Sequence, residues 1–98
     1  MLLGNHSILI VESDIGPFIL ALQGAIEQAG AETVVARDPA SAMERKQRFQ
    51  FSAAAVNVEH RSLVSELGIP ILFYGPGETP PAPTAIVSGL VRLLAADA

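Results

Sequence analysis

Four short apolar runs show no polar alternation, and they constrain the fold more than any other feature. They are SILIV at residues 7–11, TVVA at 33–36, FSAAAVNV at 51–58 and IPILFY at 69–74. A strand with one face in water alternates apolar and polar residues, whereas a strand covered on both faces has no need to. Between the first two runs the period changes, and Ile15, Phe18, Ile19, Leu22 and Ile26 recur at helical spacing. Pro17 suits the first turn of that helix, where its missing N–H would lack a partner anyway. Gly30 stops the helix. Asp38-Pro39 opens a second one, in which Ala42, Arg45 and Phe49 share a face. Residues 60–67 read as one or two helical turns closed by Gly68. This order predicts an α/β fold with a doubly wound parallel sheet. Right-handed crossovers put the first strand inside and give the strand order 2-1-3-4. Phe18, Phe49, Phe51 and Phe73 are expected in the core, with Tyr74 at a strand end as a partial exception that fills a pocket.

After Tyr74 the pattern breaks. Residues 75–83, GPGETPPAP, hold four prolines and two glycines. Such a segment forms neither a helix nor a central strand. Thr84 then reads as an N-cap, and Ile86, Val87, Leu90, Val91 and Leu94 form an amphipathic stripe over residues 84–96. The 98 residues suffice for one domain and one modest core.

Charge and composition exclude several functions. The net charge of −4 argues against binding nucleic acid through its phosphates. Four of the six basic residues, Arg37, Arg45, Lys46 and Arg48, fall close together and read as a solvated helix. There is no cysteine, hence no disulfide and no thiolate. The N-terminal residues lack the basic and long apolar regions of a signal peptide, and no apolar run is long enough to span a membrane. A soluble cytoplasmic protein is the expectation. Neither His6 nor His60 has metal-ligand spacing. A His/Glu metal site at His60, Glu12 and Glu59 is the sharper reading of His60, and an exposed loop histidine the plainer one. Ser13 and Ser52 lack the G-x-S-x-G turn of a nucleophile elbow, and GPGETP lacks the spacing of a phosphate-binding loop.

Four of these segments, in this order and phase, resemble the receiver domains of bacterial two-component response regulators. SILIVESD is similar to the first receiver strand and its acidic turn. FILALQGAIEQAGAETVVARDPASAM is similar to the first helix, second strand and start of the second helix. AAAVNVE and GIPILFYG are similar to the third and fourth strands, so the resemblance covers about residues 7–75. It implies phosphoryl transfer from a histidine kinase to an aspartate at the end of strand 3. That chemistry needs Mg²⁺ on carboxylates, with a hydroxyl and a lysine touching the phosphoryl oxygens. A hard cation wants several oxygens, and the transferring group needs its charge neutralised.

This sequence departs from that pattern at nearly every functional position. The acceptor position is Asn57, an amide. In the first turn Glu12 remains acidic, the next position is Ser13, and Asp14 lies one place further on. The hydroxyl position falls at Tyr74 or Gly75. The Lys-Pro pair corresponds to Ala82-Pro83, and the only lysine, Lys46, belongs to the second helix. Three carboxylates about 5 Å apart repel by about 3 kcal/mol per pair at an effective dielectric of about 20, so this pocket is largely discharged. The family's fourth helix and fifth strand cannot fit into GPGETPPAP, which leaves strand 4 as an edge to be covered either by a partner, a second copy or another protein, or by the proline-rich segment folding over it.

The resulting expectation is a degenerate, shortened receiver that binds proteins independently of phosphorylation and is not an enzyme. Expected partners are a histidine kinase or another response regulator, together with a second copy in a homodimer; nucleic acid and membrane are not expected. The candidate interface is Phe18 and Leu22 on the first helix, with Ile71, Leu72, Phe73 and Tyr74 on strand 4. No metal site or cofactor is expected, and Mg²⁺ binding is expected to be weak or absent. Two alternatives stay open: a response regulator phosphorylated on Glu12 or Asp14, and a purely structural dimerisation module.

Overall fold

The computed structural model describes residues 3–14, 16–75 and 82–96. Ile15 and residues 76–81, most of the proline-rich segment, lie outside the described residues. The elements in chain order are β1 (Ser7–Val11), α1 (Pro17–Gln28), β2 (Glu32–Ala36), α2 (Pro39–Arg48) and β3 (Ala53–Asn57). A 3-10 helix (Val58–Glu66), β4 (Ile71–Tyr74) and α3 (Pro83–Ala96) complete it. All strand pairs are parallel and the order is β2-β1-β3-β4, as the apolar runs predict. Among the described residues there is no fifth strand.

The lack of alternation in the central strands β1 and β3 has the expected cause, because both faces of the sheet are covered there. Ile8, Ile10, Ala53 and Ala55 pack beneath α1 and α3 with Ile19, Leu22, Ile26, Ile86 and Leu90. Leu9, Val11, Ala54 and Val56 face the other way, onto Ala42, Phe51 and Leu67. The alanines of β3 keep the centre of the sheet thin. Closeness recurs at α3, where a Cβ at Gly89 would lie 2.9 Å from Leu72 Cδ2.

Local chemistry sets the helix ends. Gly30 has φ 102°, a left-handed conformation that suits glycine after a helix. Asp38 caps α2 by accepting the Ser41 N–H at 2.7 Å, and that bond holds its carboxyl below the usual carboxylate range. At α3 the structure corrects the sequence reading. Pro83, not a residue after Thr84, begins the helix, and the Ala82 carbonyl accepts the N–H groups of Ala85 and Ile86. A proline suits the first position, where its missing N–H would lack a partner anyway.

The phenylalanines divide. Phe51 is buried and Phe18 partly so, but Phe49 is 48% exposed and Phe73 42% exposed. Phe49 lies one residue beyond α2, where the chain has left the helical face. Phe73 lies on the edge strand, where no described strand covers it. Leu22 is completely buried, so it belongs to the core and cannot serve as an interface residue.

Candidate functional site

Parallel register brings the ends of three strands to one level. Val11 lies opposite Val56, and Asn57 opposite Tyr74. The next residue of β1, Glu12, therefore meets the last residues of β3 and β4 at the carboxyl edge of the sheet. In open α/β sheets that edge is where ligands bind. A cavity of about 590 Å³ opens here, lined by Glu12, Ser13, Asp14, Gly16, Pro17, Phe18, Asn57, Glu59, Tyr74 and Gly75.

Glu12 is the centre of the site. It is 6% exposed, the one buried charged residue among those described. Its Oε1 accepts from the Tyr74 hydroxyl at 2.9 Å and from Asn57 Nδ2 at 3.0 Å. Its Oε2 accepts the Asp14 N–H at 3.1 Å. A buried carboxylate is costly without such donors, and here three neutral ones satisfy it.

Asn57 works with both ends of its amide. While Nδ2 donates to Glu12, Oδ1 accepts the Glu59 N–H at 3.0 Å and so starts the 3-10 helix. Aspartate could accept that N–H but could not donate to Glu12. This two-sided demand is the physical reason an amide fits this position. Gly75 turns the chain directly beside it, with φ 73° and a Cβ position 3.6 Å from Asn57 Oδ1.

Tyr74 fills the pocket from the β4 side, as its strand-end position suggested. It is 6% exposed, and its ring lies 5.5 Å from that of Phe18, tilted by 55°. Burial pushes its phenol well above the ordinary range, and the hydrogen bond and negative charge of Glu12 push the same way. It stays a neutral donor.

An outer layer closes the mouth. Ser13 Oγ donates to Glu59 Oε1 at 2.6 Å, and His60 Nε2 lies 3.3 Å from the same oxygen. The His60 side chain is only 15% exposed, so the plain reading of an exposed loop histidine is corrected. Sequence reasoning gave Glu59 no place at the pocket except as a metal ligand. The signal was available in retrospect, since Glu59 stands two residues after a strand-end asparagine. Among the described residues no cluster of three or more His, Asp or Glu side chains is arranged to hold a metal.

Other expected members lie elsewhere. Ala82 and Pro83 are absent from the cavity wall, because Pro83 is already in α3. Lys46 Nζ lies 3.4 Å from the Cβ position at Gly68, near the start of β4, whereas Asn57 faces its end. Ile71, Leu72 and Phe73 lie along the sheet edge, away from the cavity. His6 Nδ1 and Ser52 Oγ, 2.8 Å apart, join the starts of β1 and β3 at the opposite end of the sheet, a contact no sequence motif announced.

Magnesium is the ion the resemblance to receivers implies; Asp14 and Glu59 are exposed carboxylates of the lining, whereas the inner polar atoms are committed to one another. Mg²⁺ takes near-octahedral oxygen ligation, usually one or two carboxylates together with several waters. Both Glu12 oxygens and Asn57 Oδ1 are already taken by N–H or O–H donors, and Ser13 offers only a hydroxyl that is itself bonded to Glu59.

The fold is similar to that of a solved structure, the chemotaxis response regulator CheY4 of Vibrio cholerae. The TM-score is 0.72 at 17% sequence identity, over 90% of this chain and 98% of that one. At that identity the likeness is one of fold. No family model and no curated protein matches the sequence. Among the described residues no helix is long and apolar enough to cross a membrane.

Proposed function

We propose that this chain is a receiver-like signalling module of a two-component system that acts by binding a protein partner and accepts no phosphoryl group. The observation that carries the reading is the closed network around Glu12. The one buried carboxylate of the pocket is held by the Tyr74 hydroxyl, the Asn57 amide and the Asp14 N–H, and an amide stands at the acceptor position. Attack on phosphorus needs a free carboxylate oxygen and a cation to offset the charge of the transferring group. Here Glu12 has no oxygen free of a donor and position 57 offers an amide, and Mg²⁺ binds this pocket weakly or not at all. The likeness of fold to a chemotaxis response regulator supports the signalling class.

The partner is a histidine kinase or another response regulator, and α1 offers it a surface. Exposed Pro17, Leu20 and Ala21 carry no charge, and Leu20 is 66% exposed. A module that keeps this surface without an acceptor occupies a kinase or competes with a true receiver.

A second reading, phosphorylation on a carboxylate other than position 57, is favoured by one observation. Asp14 is exposed and lines the cavity. Incubation with acetyl phosphate and Mg²⁺, followed by intact mass measurement, separates the two. The expected result is an unchanged mass. A stable gain of about 80 Da, one phosphoryl group, would overturn the proposal.

A further inference from the structure

We infer that two copies of this chain pair antiparallel through their β4 edges, joining two four-stranded sheets into one. The direction of the backbone groups carries the inference. The Ala54 N–H donates to the Pro70 carbonyl at 3.0 Å, and Ala54 lies opposite Ile71. In a parallel ladder that phase turns the N–H and C=O of Leu72 and Tyr74 toward β3. Those of Ile71 and Phe73 point the other way, to the side where no described strand lies. Such an edge is a template for another strand.

The occupant is a second copy for three reasons. First, β4 (ILFY) carries no charge and leaves Phe73 42% exposed. The other edge, β2, begins at exposed Glu32 and runs into exposed Arg37 and Asp38, charges of the kind that deter pairing. Second, the chain's own continuation is a poor partner, since three of residues 76–81 are proline and lack the N–H a ladder needs. Third, an uncharged strand meets its own copy across a two-fold axis with no like charges opposed.

Register then fixes the axis. With Leu72 on the axis, Ile71 of each copy faces Phe73 of the other, and every outward N–H meets an outward carbonyl. Moving the axis to Phe73 would draw Gly75 into the ladder, and its φ of 73° has already left the strand.

The test uses the whole chain, whose 10.3 kDa should double by light scattering across the micromolar range. Phe73→Pro removes an N–H that points away from β3 and puts a ring where the second strand must lie. A proline whose missing N–H faces outward is tolerated on an edge strand. That variant should keep its circular dichroism spectrum and fall to the monomer mass. Because the chain has no cysteine, Leu72→Cys should form a disulfide between copies on mild oxidation. Residues on the axis of a non-hydrogen-bonded pair have Cα atoms about 4.5 Å apart, within reach of such a bond. Leu20→Cys, on α1, should not. A monomer at every concentration overturns the inference. So does a dimer that survives Phe73→Pro, or one that Leu20→Cys crosslinks and Leu72→Cys does not. Pairing of copies is independent of the phosphoryl-free reading, and the mass measurement with acetyl phosphate can fail while the dimer stands.

Discussion

Replacing Asn57 by aspartate introduces a second carboxylate at the end of the sheet, and the structure sets what that costs here. Asn57 Nδ2 donates to Glu12 Oε1 at 3.0 Å. In Asn57→Asp that donor becomes an oxygen, and two carboxylates share the end of the sheet. The Glu59 N–H is still accepted, so the start of the 3-10 helix survives. Two unit charges about 4 Å apart repel by about 4 kcal/mol at an effective dielectric of about 20. The protein can instead take up a proton. Holding a carboxyl of ordinary pKa about 3.9 protonated at pH 7 costs about 4 kcal/mol, so either route gives a similar loss. The expected destabilisation at pH 7 is therefore about 3–4 kcal/mol, a large share of the 5–15 kcal/mol typical of a domain.

Urea unfolding followed by circular dichroism measures it, with the midpoint falling by about 2 M at unchanged slope. The sign with pH is definite. A like-charge neighbour raises a carboxyl's folded pKa above its unfolded value, so the folded state binds the extra proton. The penalty is then full above the folded pKa and vanishes below the unfolded value near pH 4. Adding Glu12→Gln removes one of the two charges and should recover most of the loss, a coupling that a double-mutant cycle reads directly. An Asn57→Asp variant within about 1 kcal/mol of the parent at pH 7 would refute the reasoning, since the two carboxylates would then have to be screened or held well beyond about 4 Å.

Two further changes probe the same network. Tyr74→Phe removes one of three donors to a buried carboxylate and should cost about 1.5 kcal/mol at neutral pH. Burial and Glu12 raise the Tyr74 pKa on folding, so the parent should lose stability above about pH 10, while the variant shows no such decline. With one tyrosine and no tryptophan in the chain, tyrosinate absorbance should appear only as the protein unfolds, and ionisation of the folded protein near pH 10 would contradict the burial argument. Gly75→Ala forces a side chain into a left-handed turn at φ 73° and should cost about 1 kcal/mol, read as a lowered urea midpoint. Its Cβ makes only ordinary contact with Asn57, so a loss several times larger would mean that the turn also positions the amide.

Much of this molecule was legible in its sequence because the relevant physics is local. Unbroken apolar runs mean two covered faces, and SILIV is buried on both sides as that rule requires. Handedness of crossovers follows from chain chirality, so the order β2-β1-β3-β4 could be derived without coordinates. An amide at 57, a serine at 13 and a single lysine on the second helix are plain in the sequence. Burial was less legible. Phe49 and Phe73 are as apolar as Phe51, but one lies past a helix end and the other on an edge. Leu22 could be assigned to a surface only because helical period does not say which face meets the sheet.

The sequence by itself determined the class of fold and the placing of an amide, Asn57, at the end of β3. Tertiary structure alone decided what that amide meets. Glu12 meets Asn57 across 45 positions and Tyr74 across 62, and no local pattern relates residues so far apart. Those contacts exist because parallel register sets three strand ends at one level, and because a buried carboxylate must find donors wherever packing places them.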